Sequence, residues 1–153
     1  MLKRVNISNL AIIDNLSVEF DSSFNVITGE SGSGKTVFYK AINYLFGATF
    51  RRSDLRNGAT ECLIEGVLEI ENSTYNISRS FTKTMSKCFL DKKPISKKEY
   101  QLFLNDSWES YGQHEKQHLI KEDNHIKYLD RFSHNMEKLN KYQDLFNEYN
   151  ALL

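Results

Sequence analysis

The chain has 153 residues, 40% of them hydrophobic, with 20 Lys plus Arg balanced by 20 Asp plus Glu. That length is one ordinary domain, and the balanced charge gives no global electrostatic argument for nucleic acid, leaving only local patches. No run of about 18 apolar residues is present and nothing near Met1 reads as a secretory signal, so neither a helical membrane span nor export is expected.

In chain order, Val5-Asn6-Ile7 and Leu16-Ser17-Val18-Glu19-Phe20 alternate with period two, as half-buried strands do. Asp21-Ser22-Ser23 is a turn cluster, and Phe24-Asn25-Val26-Ile27-Thr28 reads as a short strand leading into a glycine-rich loop. Over residues 35–46 the pattern becomes helical, with Val37, Ala41, Tyr44 and Leu45 on one face and Gly47 as the C-cap. An antiparallel meander is expected next. Residues 61–71 alternate through Cys62, Ile64, Val67, Leu68 and Ile70, Asn72-Ser73 turns, and residues 75–81 and 87–90 return as strands.

Asp91-Lys92-Lys93-Pro94 reads as the exit turn of that meander. Ser96 with Glu99 three residues on is a capping box opening a helix to about residue 105. Residues 107–111 read as a strand, and residues from about 122 onward as helix. Within that last stretch Phe132, Leu139, Tyr142, Phe146, Tyr149 and Leu153 follow heptad spacing, with Asn135 in the one polar slot. Two readings fit equally: the start of a coiled coil, or one amphipathic helix packed on the domain. Cys62 and Cys88 lack CxxC spacing, which fits a reduced, cytoplasmic compartment in which both pack as small apolar groups.

The strongest chemical signal is Gly29-Glu30-Ser31-Gly32-Ser33-Gly34-Lys35-Thr36, which meets the template G-x-x-x-x-G-K-[ST] in full. Glycines permit left-handed backbone and leave no side chain in the path of phosphates, so successive N–H groups form an anion nest. The helix beginning near Gly34 adds its positive N-terminal end. Lys35 supplies a mobile point charge for the β- and γ-phosphates, and the Thr36 hydroxyl is a hard oxygen ligand for Mg²⁺. The eight residues are therefore expected to bind a nucleoside triphosphate, ATP with Mg²⁺.

The surroundings of that loop carry a resemblance. Val5-Asn6-Ile7-Ser8-Asn9-Leu10-Ala11-Ile12-Ile13-Asp14, Leu16-Ser17-Val18-Glu19-Phe20 and Val26-Ile27-Thr28 running into the loop closely resemble the opening of the RecN family, bacterial DNA-repair ATPases of the SMC-like branch of the ABC ATPases. Leu55-Arg56-Asn57-Gly58-Ala59, Tyr111-Gly112-Gln113-His114-Glu115-Lys116-Gln117 and Leu129-Asp130-Arg131-Phe132 match further segments in the right order. The resemblance implies an α/β fold, the N-terminal lobe of an ABC/SMC-type head. A mixed sheet would surround the phosphate-loop helix with an antiparallel β-subdomain against it. The lobe would span residues 1–131, with a coiled-coil helix starting at 132–153.

The resemblance also implies roles. Gln113 matches the glutamine that contacts Mg²⁺ and the attacking water, beside Lys35 as the catalytic pair of this lobe. Arg56 matches an arginine placed near nucleotide or DNA; the residues alone leave a solvated turn arginine equally open. His114 and His118 have i, i+4 spacing suited to metal, but no third ligand is apparent, so solvent-facing histidines are the better reading. An apolar strand ending in Asp-Glu and an LSGG(E/Q)-type signature, both needed for hydrolysis, do not occur.

The expectation is thus half of a head. Its partners would be a C-terminal lobe, a second head in an ATP-dependent dimer, and DNA, with a cytoplasmic, nucleoid-associated location. Another SMC- or RecF-type head, a small P-loop kinase and a non-catalytic pairing module through residues 132–153 are the alternatives.

Overall fold

Six strands build one antiparallel sheet: β1 (Leu2–Leu10), β2 (Ile13–Glu19), β3 (Glu61–Ile70), β4 (Ser73–Thr82), β5 (Ser86–Leu90) and β6 (Lys93–Ile95), in the spatial order β2-β1-β3-β4-β5-β6. The computed structural model describes residues 1–70, 73–104, 108, 125–126, 129, 132–133 and 136–151. Two compact units follow one another along the chain, Met1–Glu109 and Ser110–Leu153. In the first, β1 receives β2 on one edge, with Val5 opposite Val18 and Ile7 opposite Leu16. It receives β3 on the other, with Val5 opposite Gly66 and Ile7 opposite Ile64. Period-two alternation therefore gathers the apolar side chains of three strands on one face.

Helix α1 (Lys35–Leu45) lies on that face and buries Phe38, Ala41, Ile42, Tyr44 and Leu45. They join Val5, Ile7, Ile64, Leu68, Ile77 and Phe81 in one core. Each fully buried Ile, Leu or Phe contributes about 1.5–3 kcal/mol. The helix comes close because β3 carries Gly66 beneath it: a Cβ there would stand 2.6 Å from Leu45 Cδ2. The buried face is wider than periodicity indicated. Phe38 and Ile42 are buried, whereas Val37 is only half-buried.

The C-terminal end of α1 is closed from the sheet and from α2 (Lys97–Phe103). Gly47 at φ 104° ends the helix in the left-handed region. Tyr100 Oη donates to the carbonyl of Leu45 at 2.7 Å. Arg79, 2% exposed, donates to the carbonyls of Tyr44 and Ala48 and lies over the Phe81 ring at 4.7 Å. The capping box of α2 forms as expected: Glu99 N–H donates to Ser96 Oγ at 3.2 Å, and Ser96 N–H to Glu99 Oε2 at 2.8 Å.

Two expectations are corrected. Residues 24–28 form no strand and have no ladder partner among the described residues, and Phe24 is 85% exposed; the sheet among the described residues is antiparallel throughout. Apolar composition marks this segment as strand-like, but a strand needs a neighbour to satisfy its backbone. Residues 91–94 are not a simple exit turn. Asp91 and Lys92 take positive φ, 47° and 66°, in a two-residue hairpin turn. The chain then returns as β6, whose edge position tolerates Pro94.

In the second unit, α3 (Met136–Ala151) carries Leu139, Tyr142, Phe146 and Tyr149 of the heptad residues; Asn135 and Leu153 lie outside the described residues. Tyr142 and Phe146 stack at 6.0 Å, 16° apart, and both are exposed, with Leu145 and Tyr149. Leu139 is half-buried. An exposed apolar seam of this kind is what a coiled-coil strand presents before pairing. No helix among the described residues is long and apolar enough to cross a membrane.

Candidate nucleotide site

The loop between residues 24–28 and α1 has the backbone that the glycine pattern demands. Gly32 and Gly34 take φ 83° and 96°, in the left-handed region. A Cβ on Gly29 would stand 2.7 Å from Ser33 Oγ, so a side chain there collides with the loop itself. At Gly32 a Cβ would meet nothing within 4 Å, so the loop opens outward at that point. Gly34 is the N-cap of α1 and makes no side-chain cap, leaving the first N–H groups of the helix directed out of its end. The Ser33 N–H donates back to the Glu30 carbonyl at 3.2 Å and closes the loop.

Lys35 reaches back over this ring. Its Nζ donates to the carbonyls of Gly29 at 2.6 Å and Glu30, and stands 3.4 Å from Ser33 Oγ. The ammonium is thus fixed beside the glycine backbone rather than waving in solvent. Thr36, in the first turn, is exposed, so its hydroxyl is free to take a metal. Lys35 and the helix end together make the loop electropositive.

A second group of residues walls the site. The turn joining β1 to β2 brings Ile12 over the loop: Ile12 Cδ1 lies 3.3 Å from where a Cβ on Gly34 would be. Arg56 holds this turn by donating from Nη1 to the carbonyls of Ala11 at 3.3 Å and Ile12 at 2.9 Å, with Asp14 Oδ1 3.8 Å from its Nε. Arg56, its side chain 36% exposed, is engaged with the backbone of Ala11 and of Ile12, the residue whose side chain touches the loop.

Sequence reasoning found the loop and Arg56 but missed Ile12, Lys40, Tyr44 and Asp54. Asp54 Oδ2 accepts from Tyr44 Oη at 2.5 Å, and Lys40 Nζ stands 3.2 Å from the carboxylate. Burial, and then the Asp54 hydrogen bond, raise the Tyr44 hydroxyl to about 12. The i, i+4 spacing of Lys40 and Tyr44 was a visible signal, but nothing local said what they would face. Gln113, His114 and His118, expected as site or near-site residues, lie outside the described residues. No group of three potential metal ligands occurs among the described residues.

A glycine loop ending in Lys-Thr at the head of a helix, packed on an antiparallel sheet, defines the P-loop class of nucleotide-binding fold. The chain belongs to the AAA domain family, which it matches over residues 4–152. It is similar to the DNA repair protein RecN of Bacillus subtilis, at 28% identity over 100% of this chain and 30% of that protein. It is similar also to RecN of Aquifex aeolicus, at 32% identity over 96% of this chain and 27% of that one. The chain therefore spans under a third of the length of these relatives.

Solved structures agree on the fold. An SMC ATPase studied for ATP-driven dimerization and DNA-stimulated activation superposes with a TM-score of 0.67 at 16% identity, over 84% of this chain and 95% of that one. The SMC head domain of Thermotoga maritima gives 0.59 at 20% identity, over 71% and 42%. The recombination mediator RecF gives 0.59 at 18%, over 65% and 29%. The fold is that of an SMC- or RecF-type head.

Proposed function

We propose that this chain is the ATP-binding lobe of a RecN-like ATPase acting in DNA double-strand-break repair and recombination. The observation that carries the reading is the Lys35 ammonium held by the Gly29 and Glu30 carbonyls inside a loop that opens at Gly32. In that position Lys35 meets the β- and γ-phosphates, while the loop N–H groups and the end of α1 take the remaining phosphate oxygens. The Thr36 hydroxyl would hold Mg²⁺, which when bound neutralises phosphate charge. Gln113 would orient the attacking water, and Arg56 would stand at the nucleotide's edge.

The base and the signature motif would come from a C-terminal lobe. The exposed apolar 24–28 segment supports such a partner, since Phe24, Val26 and Ile27 are open to solvent and have no ladder among the described residues. Residues 132–153 would begin the coil that leads to it. An ATP-dependent head dimer and DNA are the further partners of the whole protein, in the cytoplasm and on the nucleoid.

Titration with a fluorescent methylanthraniloyl-ATP in the presence of Mg²⁺ tests the reading. The chain binds and Lys35→Ala does not, with unchanged circular dichroism. The isolated chain turns ATP over very slowly or not at all. Ordinary turnover abolished by Lys35→Ala would mean that this lobe carries its own base, and no binding by the unaltered chain would overturn the reading.

A further inference from the structure

Beside the phosphate loop, segments distant in sequence meet at one carboxylate. Asp54, 9% exposed, accepts from Tyr44 Oη at 2.5 Å and from Lys40 Nζ at 3.2 Å. Both donors stand on α1, whose N-terminal end carries the loop. The backbone on either side of Asp54 grips the β1–β2 turn. The Asp54 carbonyl accepts from Ala11 N–H at 2.7 Å, Arg56 N–H donates to the Asn9 carbonyl at 3.1 Å, and Leu55 bridges to Leu10. Arg56 adds its guanidinium bonds to the carbonyls of Ala11 and Ile12. The turn so held has Asn9 and Ala11 at φ 59° and 48°, conformations that L residues keep only where their surroundings impose them.

We propose that Asp54 is a positioning residue of the nucleotide site: its carboxylate locks the 52–56 segment to α1 and, through Arg56, sets the Ile12 turn against the phosphate loop. The inference rests on the reading of that loop as an ATP site. Asp54 touches no nucleotide itself. Removing its carboxylate leaves the Lys40 ammonium and the Tyr44 hydroxyl without their shared acceptor and uncouples the two halves of the wall. ATP affinity then falls although no loop residue has changed. A role confined to stability would lower the melting temperature and leave the affinity of the folded chain alone.

The test is a double-mutant cycle on the full chain, reading the Kd for methylanthraniloyl-ATP with Mg²⁺ alongside the melting temperature. Asp54→Ala raises Kd about tenfold, and Asp54→Asn about threefold, because the amide oxygen still accepts from Tyr44. Asp54→Ala combined with Arg56→Ala is no weaker than the weaker single variant, since both cut the same link. A Kd for Asp54→Ala within about twofold of the unaltered chain, or additive effects in the double variant, overturns the proposal. If Asp54→Ala fails to fold, Tyr44→Phe keeps the ring, removes one bond to Asp54 and carries the same cycle; additivity with Arg56→Ala there overturns it equally. Absence of binding by the unaltered chain overturns the ATP reading and the inference together. Binding with additive variants overturns the inference alone.

Discussion

The guanidinium of Arg79, on β4, donates to the carbonyl oxygen of Tyr44, in the last turn of the helix that carries the phosphate loop. A cation at a helix C-terminus faces the negative end of the dipole and satisfies a carbonyl that has no intrahelical partner. Its charge is met by the carbonyls of Tyr44 and Ala48, by Ser86 Oγ at 3.2 Å and by the Phe81 ring. Nε has no partner among the described residues.

Arg79→Met therefore loses more than it gains. It removes a buried charge with one orphan donor, but it strips the Ala48 carbonyl of its donor, at about 1–3 kcal/mol for an unsatisfied group, and leaves the Tyr44 carbonyl with the Gly47 N–H alone, at 3.2 Å. The variant unfolds at lower urea, by about 1–3 kcal/mol at equal slope. A midpoint equal to that of the unaltered chain would mean that the helix end is closed without Arg79.

Gly34→Ala probes the site where loop and wall meet. The residue sits at φ 96°, and a methyl group would press on Ile12 Cδ1 at 3.3 Å. An alanine in the left-handed region costs about 1–2 kcal/mol, and here relief requires moving either the Ile12 turn or the N-cap of α1. The expected outcome is a Kd for methylanthraniloyl-ATP at least about tenfold higher, in a chain that still melts cooperatively. Unchanged affinity would show that the loop tolerates a displaced N-cap.

The alkaline limb of stability follows from buried groups: burial pushes up the Tyr100 hydroxyl, and two more titrate within the accessible range. Burial, with the Asp54 hydrogen bond adding to it, raises the Tyr44 hydroxyl from 10.0 to about 12. Burial, with Glu61 nearby, raises the Cys62 thiol from 9.0 to about 12. Both groups ionise more readily in the unfolded chain. Their contribution is fully present below pH 9 and is lost progressively as pH rises through 9–12. Urea midpoints should be unaffected by these groups up to about pH 8.5 and fall above it. In the folded chain, Cys62 resists thiol reagents at pH 8, because the thiolate is the nucleophile and is scarcely populated. Rapid labelling of Cys62 without unfolding would contradict its burial.

The loop itself was legible from the chain alone, because its chemistry is local. Eight consecutive residues supply the left-handed backbone, the lysine and the hydroxyl, and no distant contact is needed to recognise them. Strands β1 to β5 were legible for the same reason, since alternation records which face is buried, but β6 was not; the capping box of Ser96 and Glu99 and the Gly47 helix end were legible too. Tertiary structure alone decided the rest. It made β1 an inner strand with β3 beside it, although 50 residues separate their facing ends. It left residues 24–28 without a ladder among the described residues, because a strand is defined by a neighbour and not by its own composition. It made Arg56 the clasp of the Ile12 turn, and it gathered Lys40 and Tyr44 around the Asp54 carboxylate. Interactions between residues far apart in sequence leave no periodic trace, so only the packed chain reveals that the wall of the site is tied to the helix of its loop.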